Sequence, residues 1–245
     1  MKWAILNITS STASSEALIG DIPVTLRVSA RARRLRLRVD PRTRAVLLTM
    51  PRRASRKAAL AWAGEHRAWL EATLAAMPEP AAIIPGCTIP WRGGTLVVDW
   101  AKTNPRQARI DGDRLIVGGA AESLEGRVLR WMKAEALALL SSETEEFAAK
   151  AGVMASRVSV GDPVSRWGSC ASSGALRYSW RLVMAPDFVR RATVAHEVAH
   201  LVHMNHGPDF HALVATLLGA DPAPARAWLK REGAALHRIG RRRPG

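Results

Sequence analysis

Residues 194–213, VAHEVAHLVHMNHGPDFHAL, carry five of the chain's seven histidines: His196, His200, His203, His206 and His211. On an α-helix a four-residue step turns the chain by about 40°, so His196 and His200 leave the same face one turn apart. That is the bite two ligands of one metal ion need. Glu197 follows directly, about 100° round the helix, too far to be a third ligand but able to reach a water on the metal. This is the HExxH pattern, in which the glutamate serves as general base.

The third ligand has three candidates. His203 shares the face of the first two but lies about 10 Å from His196 along a straight helix. His206 reaches the metal if the helix stops first. MNHG (204–207) supplies a stop, because Asn205 tolerates the left-handed conformation that ends helices and Gly207-Pro208 opposes continuation. His211 falls on the next helix. The geometry favours His206, with His203 and His211 as the alternatives.

Working outward, SRVSVGD (156–162) and LRYSWRLVMAP (176–186) read as strands around a loop, PVSRWGSCASSGA (163–175). Strict alternation would put Arg177, Ser179 and Arg181 on one face and Tyr178 and Trp180 on the other. With Arg166 of the loop, Arg177 and Arg181 are candidates to bind a phosphate or a peptide carboxylate. Tyr178, the single tyrosine of the chain, could stabilise an oxyanion or simply pack in the core. Cys170 has no histidine at a recognisable spacing, so packing is favoured over nucleophile or ligand. Helices are expected at about 187–204, 208–218 and 222–239, and a long one over 122–151 that ends at Gly152.

The preceding half reads as strands with one helix. In VTLRVSARARRLRLRVDPRTRAVLLTMP (24–51) apolar and basic residues alternate and DPRTR (40–44) can turn the chain, so a hairpin is expected with Arg34, Arg36 and Arg38 on a wet face. A helix capped by Ser55 follows to about 77, then a proline-rich linker, PEPAAIIPG (78–86). LVVDW (96–100) and ARIDGDRLIVGG (108–119) are strands, the second with a hairpin turn at Asp111-Gly112. No repeat of fixed period is visible. The change of character near 120 suggests a basic, β-rich subdomain over 1–120 and a helical, histidine-bearing domain over 121–245.

Composition narrows the classes. A chain of 245 residues with 48% hydrophobic content can bury a real core. No apolar run approaches the ~20 residues of a membrane span. The N-terminal MKWAILNITSSTASSEA makes a poor signal peptide and reads as a first strand or a frayed tail. Two cysteines without CxxC spacing make a reducing cytoplasm the expected compartment. The net charge is +15, and residues 27–57 hold twelve Lys/Arg against one acid, Asp40. Such a field attracts polyanions, so non-specific nucleic-acid contact through the basic N-terminal half is an expected partnership beside a peptide or nucleotide substrate.

Arg166-Trp167-Gly168-Ser169-Cys170, Trp180-Arg181-Leu182, His196-Glu197 with His200, and Asn205-His206-Gly207 with Phe210 together resemble the YgjP-like metal-dependent hydrolases. These are zincin-type proteins more distantly similar to the SprT-type proteases. The resemblance is strong over roughly 150–238 and weaker before that. It implies an α+β fold: a β-rich N-terminal part, then a zincin-like metallopeptidase core whose small sheet lays an edge strand beside the HExxH helix. It also implies one Zn²⁺ on His196, His200 and His206, with Glu197 activating a zinc-bound water. The family usually has asparagines where this chain has Ala175 and Ser179, and often an aromatic at His211, which bears on substrate preference. The expected function is zinc-dependent hydrolysis, foremost of peptides. The alternatives are metal-dependent nucleoside-triphosphate pyrophosphohydrolysis of a UTP type, and a DNA-associated binding module with a weak or structural metal site.

Overall fold

The computed structural model describes residues 14–40, 44–77 and 81–240. The expected N-terminal strand or tail therefore lies mostly outside the described residues, as do parts of the DPRTR turn and of the proline-rich linker. The chain is mixed α+β and divides into two compact units at Pro78/Glu79. That corrects the boundary expected near 120. The strands after residue 87 belong with the helices, because Ile89, Leu96, Val98, Leu115 and Val117 share one buried core with Val128, Met132 and Leu140 of the long helix.

The first unit is a four-stranded sheet with two helices. β1 (Ser14–Ile19) and β2 (Ile22–Ser29) form a hairpin. β4 (Val46–Pro51) runs parallel to β2 and antiparallel to β3 (Arg36–Val39), giving the order β1-β2-β4-β3. Alternation buries Val24, Leu26, Val46, Leu48 and Met50 and leaves Arg36 and Arg38 exposed, as the period-2 pattern requires. Arg34 falls before the strand, in the connection from β2. The single expected helix is two, α1 (Arg56–Glu65) and α2 (Arg67–Ala76), broken at His66. Ser55 caps the first, its side chain accepting from the Ala58 N–H at 3.4 Å.

The second unit opens with a sheet of the same topology. β5 (Thr88–Trp91), β6 (Gly94–Trp100), β7 (Arg109–Asp111) and β8 (Arg114–Val117) take the order β5-β6-β8-β7, again a hairpin joined in parallel to a second hairpin. A repeat thus exists in topology though none is visible in the letters. Helix α3 (Leu124–Ala151) follows. It buries Leu124, Val128, Met132, Ala136 and Leu140, an i, i+4 stripe. It closes on Gly152 in the left-handed conformation at φ 69°, where an added Cβ would be strained.

A three-stranded sheet then carries the edge strand that the site uses. β9 (Arg157–Gly161) pairs in parallel with β11 (Ala175–Ser179), and β10 (Gly168–Cys170), expected as loop, pairs antiparallel on the other side of β11. The strand expected through residue 186 stops at Ser179, and Trp180–Met184 form a 3₁₀ turn, every residue of it buried. The unit ends with α4 (Asp187–Ala199), α5 (Pro208–Leu218) and α6 (Ala223–Leu236). Among the described residues no helix is long and apolar enough to cross a membrane.

Candidate metal centre

Helix α4 carries His196 and Glu197 in its last turn and is capped at His200. It stops earlier than the expected residue 204, and Asn205 is not left-handed. The reversal is made instead by turns over 200–205, with backbone bonds from Leu201 to Val198 and from His203 to Ala199. Gly207 then precedes Pro208, the first residue of α5, where a proline's missing N–H costs nothing. The effect is the one anticipated. His206 returns to the first two histidines, and the candidate ligand nitrogens of His196, His200 and His206 all lie within 4.8 Å of one another. His203 and His211 are not in this cluster.

The donor set fits a tetrahedral cation. Three imidazoles converge, and the Nε2 atoms of His196 and His206 face each other at 3.2 Å. Two nitrogens bound to one zinc at ~2.0–2.1 Å in tetrahedral geometry stand about 3.3 Å apart. Burial and the neighbouring His200 and His206 hold His196 down to about 4, and burial likewise lowers His200. Neutral imidazole is the form that ligates. His200 is also oriented: its Nδ1 lies 3.1 Å from the carbonyl of His203. A carbonyl only accepts, so Nδ1 carries the proton and Nε2 keeps its lone pair. That gives His203 a part through its backbone, while its ring stays out of the cluster. Phe210, 1% exposed, floors all three rings at centroid distances of 4.9, 4.5 and 4.7 Å.

Glu197 is buried and has no hydrogen-bond partner among the described residues. Burial pushes its carboxyl up to about 7, opposed only by the charge of Arg166. It opens with His196 into a cavity of about 270 Å³ walled by Trp167, Val214 and Leu229, with Arg166 and Arg226 on its lining. Its near wall is backbone: a Cβ at Gly168 of β10 would stand 2.6 Å from Glu197 Cδ. The glycine is what lets the edge strand approach the helix this closely.

Of the proposed substrate contacts, Arg166 alone lines this cavity. Arg177 is exposed and lies over Gly161. Arg181 is corrected to a structural role, because the strand ends before it and the 3₁₀ turn aims it inward. It is 1% exposed, pairs with Asp162 through Nε at 2.7 Å, and donates through Nη1 to the carbonyls of Leu236 and Ile239. Tyr178 packs in the core, the favoured of its two expected readings, and is not an oxyanion donor to this cavity. It is fully buried, its hydroxyl 3.1 Å from Thr144 Oγ1, and burial raises it far above the ordinary range. Cys170 is half-buried, its thiol raised by burial and by Glu197, which suits packing.

The sequence reading missed two things. Arg226 is one; it lies a turn into α6, and nothing local marks it. The other is the charge cluster that seats α4. Arg190, 1% exposed, meets Glu143 of α3 at 2.9 Å and Asp187 at 2.8 Å. Asp187 also receives Arg92 at 2.6 Å, and these arginines, Arg92 foremost, hold its carboxyl well below the usual range.

A helix that offers two histidines and a buried glutamate, a third histidine on the following connection, and an edge strand alongside define the class of zincin-like metallohydrolases. The particular family follows from the sequence: the YgjP-like metallopeptidase domain matches residues 33–232, and the chain belongs to that family. It is accordingly a metal-dependent hydrolase by family. No curated protein and no solved structure matches the chain.

Proposed function

We propose that the chain is a zinc-dependent peptidase with His196, His200 and His206 as ligands and Glu197 as general base. The observation that carries this reading is a buried, unpartnered carboxylate beside three converging imidazoles. A structural metal site has no use for such a group, and an unpaired buried acid is costly to keep. When bound, zinc supplies Lewis acidity that brings the pKa of a water towards ~7 and polarises a carbonyl. Glu197 takes the proton of the attacking water on its carboxylate and hands it to the leaving nitrogen. Phe210 fixes the imidazole planes, the His203 carbonyl fixes the tautomer of His200, and Gly168 leaves the space that Glu197 occupies. Arg166 and Arg226 at the cavity wall favour a substrate with a carboxylate near the scissile bond.

The same two arginines support a second reading, pyrophosphohydrolysis of a nucleoside triphosphate, whose phosphates they would suit. Half-buried free cysteines accord with a reducing cytoplasm. The deciding experiment incubates purified protein with a casein-type substrate and, in parallel, with UTP, each with and without chelator. Chelator-sensitive release of peptides supports the peptidase. Chelator-sensitive release of pyrophosphate alone replaces it with the second reading, and no turnover of either removes both.

A further inference from the structure

A concavity of the first unit, about 840 Å³, lies between the β2–β3 connection and the α1–α2 junction. Its lining holds Arg31, Arg33, Arg34 and Arg36, two tryptophans, Trp62 and Trp69, and His66, and it contains no Asp or Glu. All four arginines are exposed, and none has an ion pair or side-chain hydrogen bond among the described residues. Elsewhere in the unit Arg38 pairs with Asp40, and Arg67 with Asp21 and Glu71, while Arg27, Arg52 and Arg53 are as unmatched as these four, so the charge alone does not single out the concavity. A merely solvated basic face needs no aromatic ring in it. Here Trp69 is 47% exposed, and Trp62 leans on His66 at a centroid distance of 4.5 Å. An exposed indole beside unmatched guanidinium groups is the arrangement in which unpaired bases stack while phosphates are neutralised.

We propose that this concavity binds single-stranded nucleic acid, with Trp69 as a stacking platform and Arg31, Arg33, Arg34 and Arg36 as phosphate contacts. The ligand is a strand rather than a duplex, because bases inside a duplex are not open to an indole. Its size falls within the ~300–1,000 Å³ of pockets that enclose small groups, which suits a splayed base and its backbone. Recognition by stacking and charge carries little sequence preference. The site shares no residue with the histidine cluster, so it does not rest on the proposed peptidase activity.

The test is fluorescence anisotropy with the full chain and a labelled short oligothymidylate, against a duplex of equal length, over a salt series. Single strand should bind more tightly than duplex. Trp69→Ala should weaken strand binding by roughly five- to a hundred-fold, the worth of one stacked base. Gln at Arg33, Arg34 and Arg36 together should lower the salt slope by about two, since each phosphate contact in a single strand contributes about 0.7. Both variants change exposed side chains, and an unaltered melting temperature verifies their folding. Affinity should persist in chelator, which keeps this outcome distinct from any result on hydrolysis. Equal or tighter binding of duplex would overturn the proposal, as would an unchanged affinity in folded Trp69→Ala. Loss of binding on chelation, or displacement of the strand by micromolar UTP, would move the ligand elsewhere or change its class.

Discussion

Gly168 and Glu197 stand in contact across the gap between an edge strand and the helix it flanks: any side chain at the glycine would occupy the carboxylate's place. The φ of Gly168 is not in the left-handed region, so the constraint is space and not backbone conformation. Gly168→Ala should therefore displace Glu197 while leaving the three histidines where they are. Turnover should fall at least about ten-fold, as misplacement of a reacting group by ~1 Å entails, with metal content by mass spectrometry unchanged. A Gly168→Ala protein of wild-type activity would show that Glu197 does not need its present position.

Glu197→Gln separates catalysis from metal binding. The substitution keeps size and shape and removes the base. Zinc content and melting temperature should stay near wild type while turnover drops ~10²–10⁴-fold, the worth of a positioned proton-transfer group. Metal-loaded Glu197→Gln with full activity would end the proposed mechanism.

His206 and His211 can be told apart by metal retention. The His206 and His211 ring centroids lie 6.4 Å apart, but only His206 faces His196 Nε2. His206→Ala should lose zinc strongly on dialysis, and His211→Ala should hold about one per chain. The reverse pattern would reassign the third ligand.

The Arg190–Glu143 pair joins α4 to α3 with both side chains under a tenth exposed. Glu143→Ala leaves a buried guanidinium partly uncompensated and should cost about 3–5 kcal/mol in denaturant unfolding. Replacing both partners with methionine should recover much of that, because the desolvation cost disappears with the charges. If the double variant were as unstable as the single one, the pair would be contributing more than mutual compensation.

Acid should weaken the α3–α4 contact at its solvent edge as well. Hydrogen bonds from Arg191 and then Lys150 lower Glu146 from an ordinary 4.5 to about 2. A depressed carboxylate stabilises the fold above pH ~4.5, and that contribution is lost as pH falls through about 2. Glu146 is 40% exposed, so the effect is small and salt-sensitive. Melting temperatures between pH 5 and 2 should fall less steeply for Glu146→Gln than for wild type, and parallel curves would refute the linkage.

Much of the centre is legible in the letters because it depends on short-range geometry. His196, Glu197 and His200 are related by one helical turn, and Gly207-Pro208 marks where α5 begins after the reversal. What escaped depends on long-range packing. Alternation placed Arg181 beside Arg177, but the chain leaves the strand after Ser179, and only the Asp162 carboxylate and the Leu236 and Ile239 carbonyls explain why a guanidinium turns inward. Tyr178 obeyed its alternation, and its burial follows from α3 supplying Thr144 as partner. The change of composition near 120 misled because composition reports secondary structure, whereas a unit is defined by shared burial. Arg226 carries no local signal, and Arg190 only its i, i+3 partner Asp187; its main partner, Glu143, lies 47 residues away.

The hairpin turn Arg92-Gly93 anchors the start of α4 from 95 residues away, through Asp187 and through backbone bonds to Val183 and Met184. Closing so long a loop is entropically expensive and slow compared with forming a local helix. The start of the HExxH helix therefore depends on a contact whose other half lies 95 residues earlier in the chain. The motif is for that reason not portable: a fragment beginning at residue 121 keeps His196, His200, His206 and Glu197, yet has lost the β5–β6 hairpin that seats the helix. Such a fragment should behave as a loosely packed helical chain, and grafts of this site onto other scaffolds need to carry the hairpin with it.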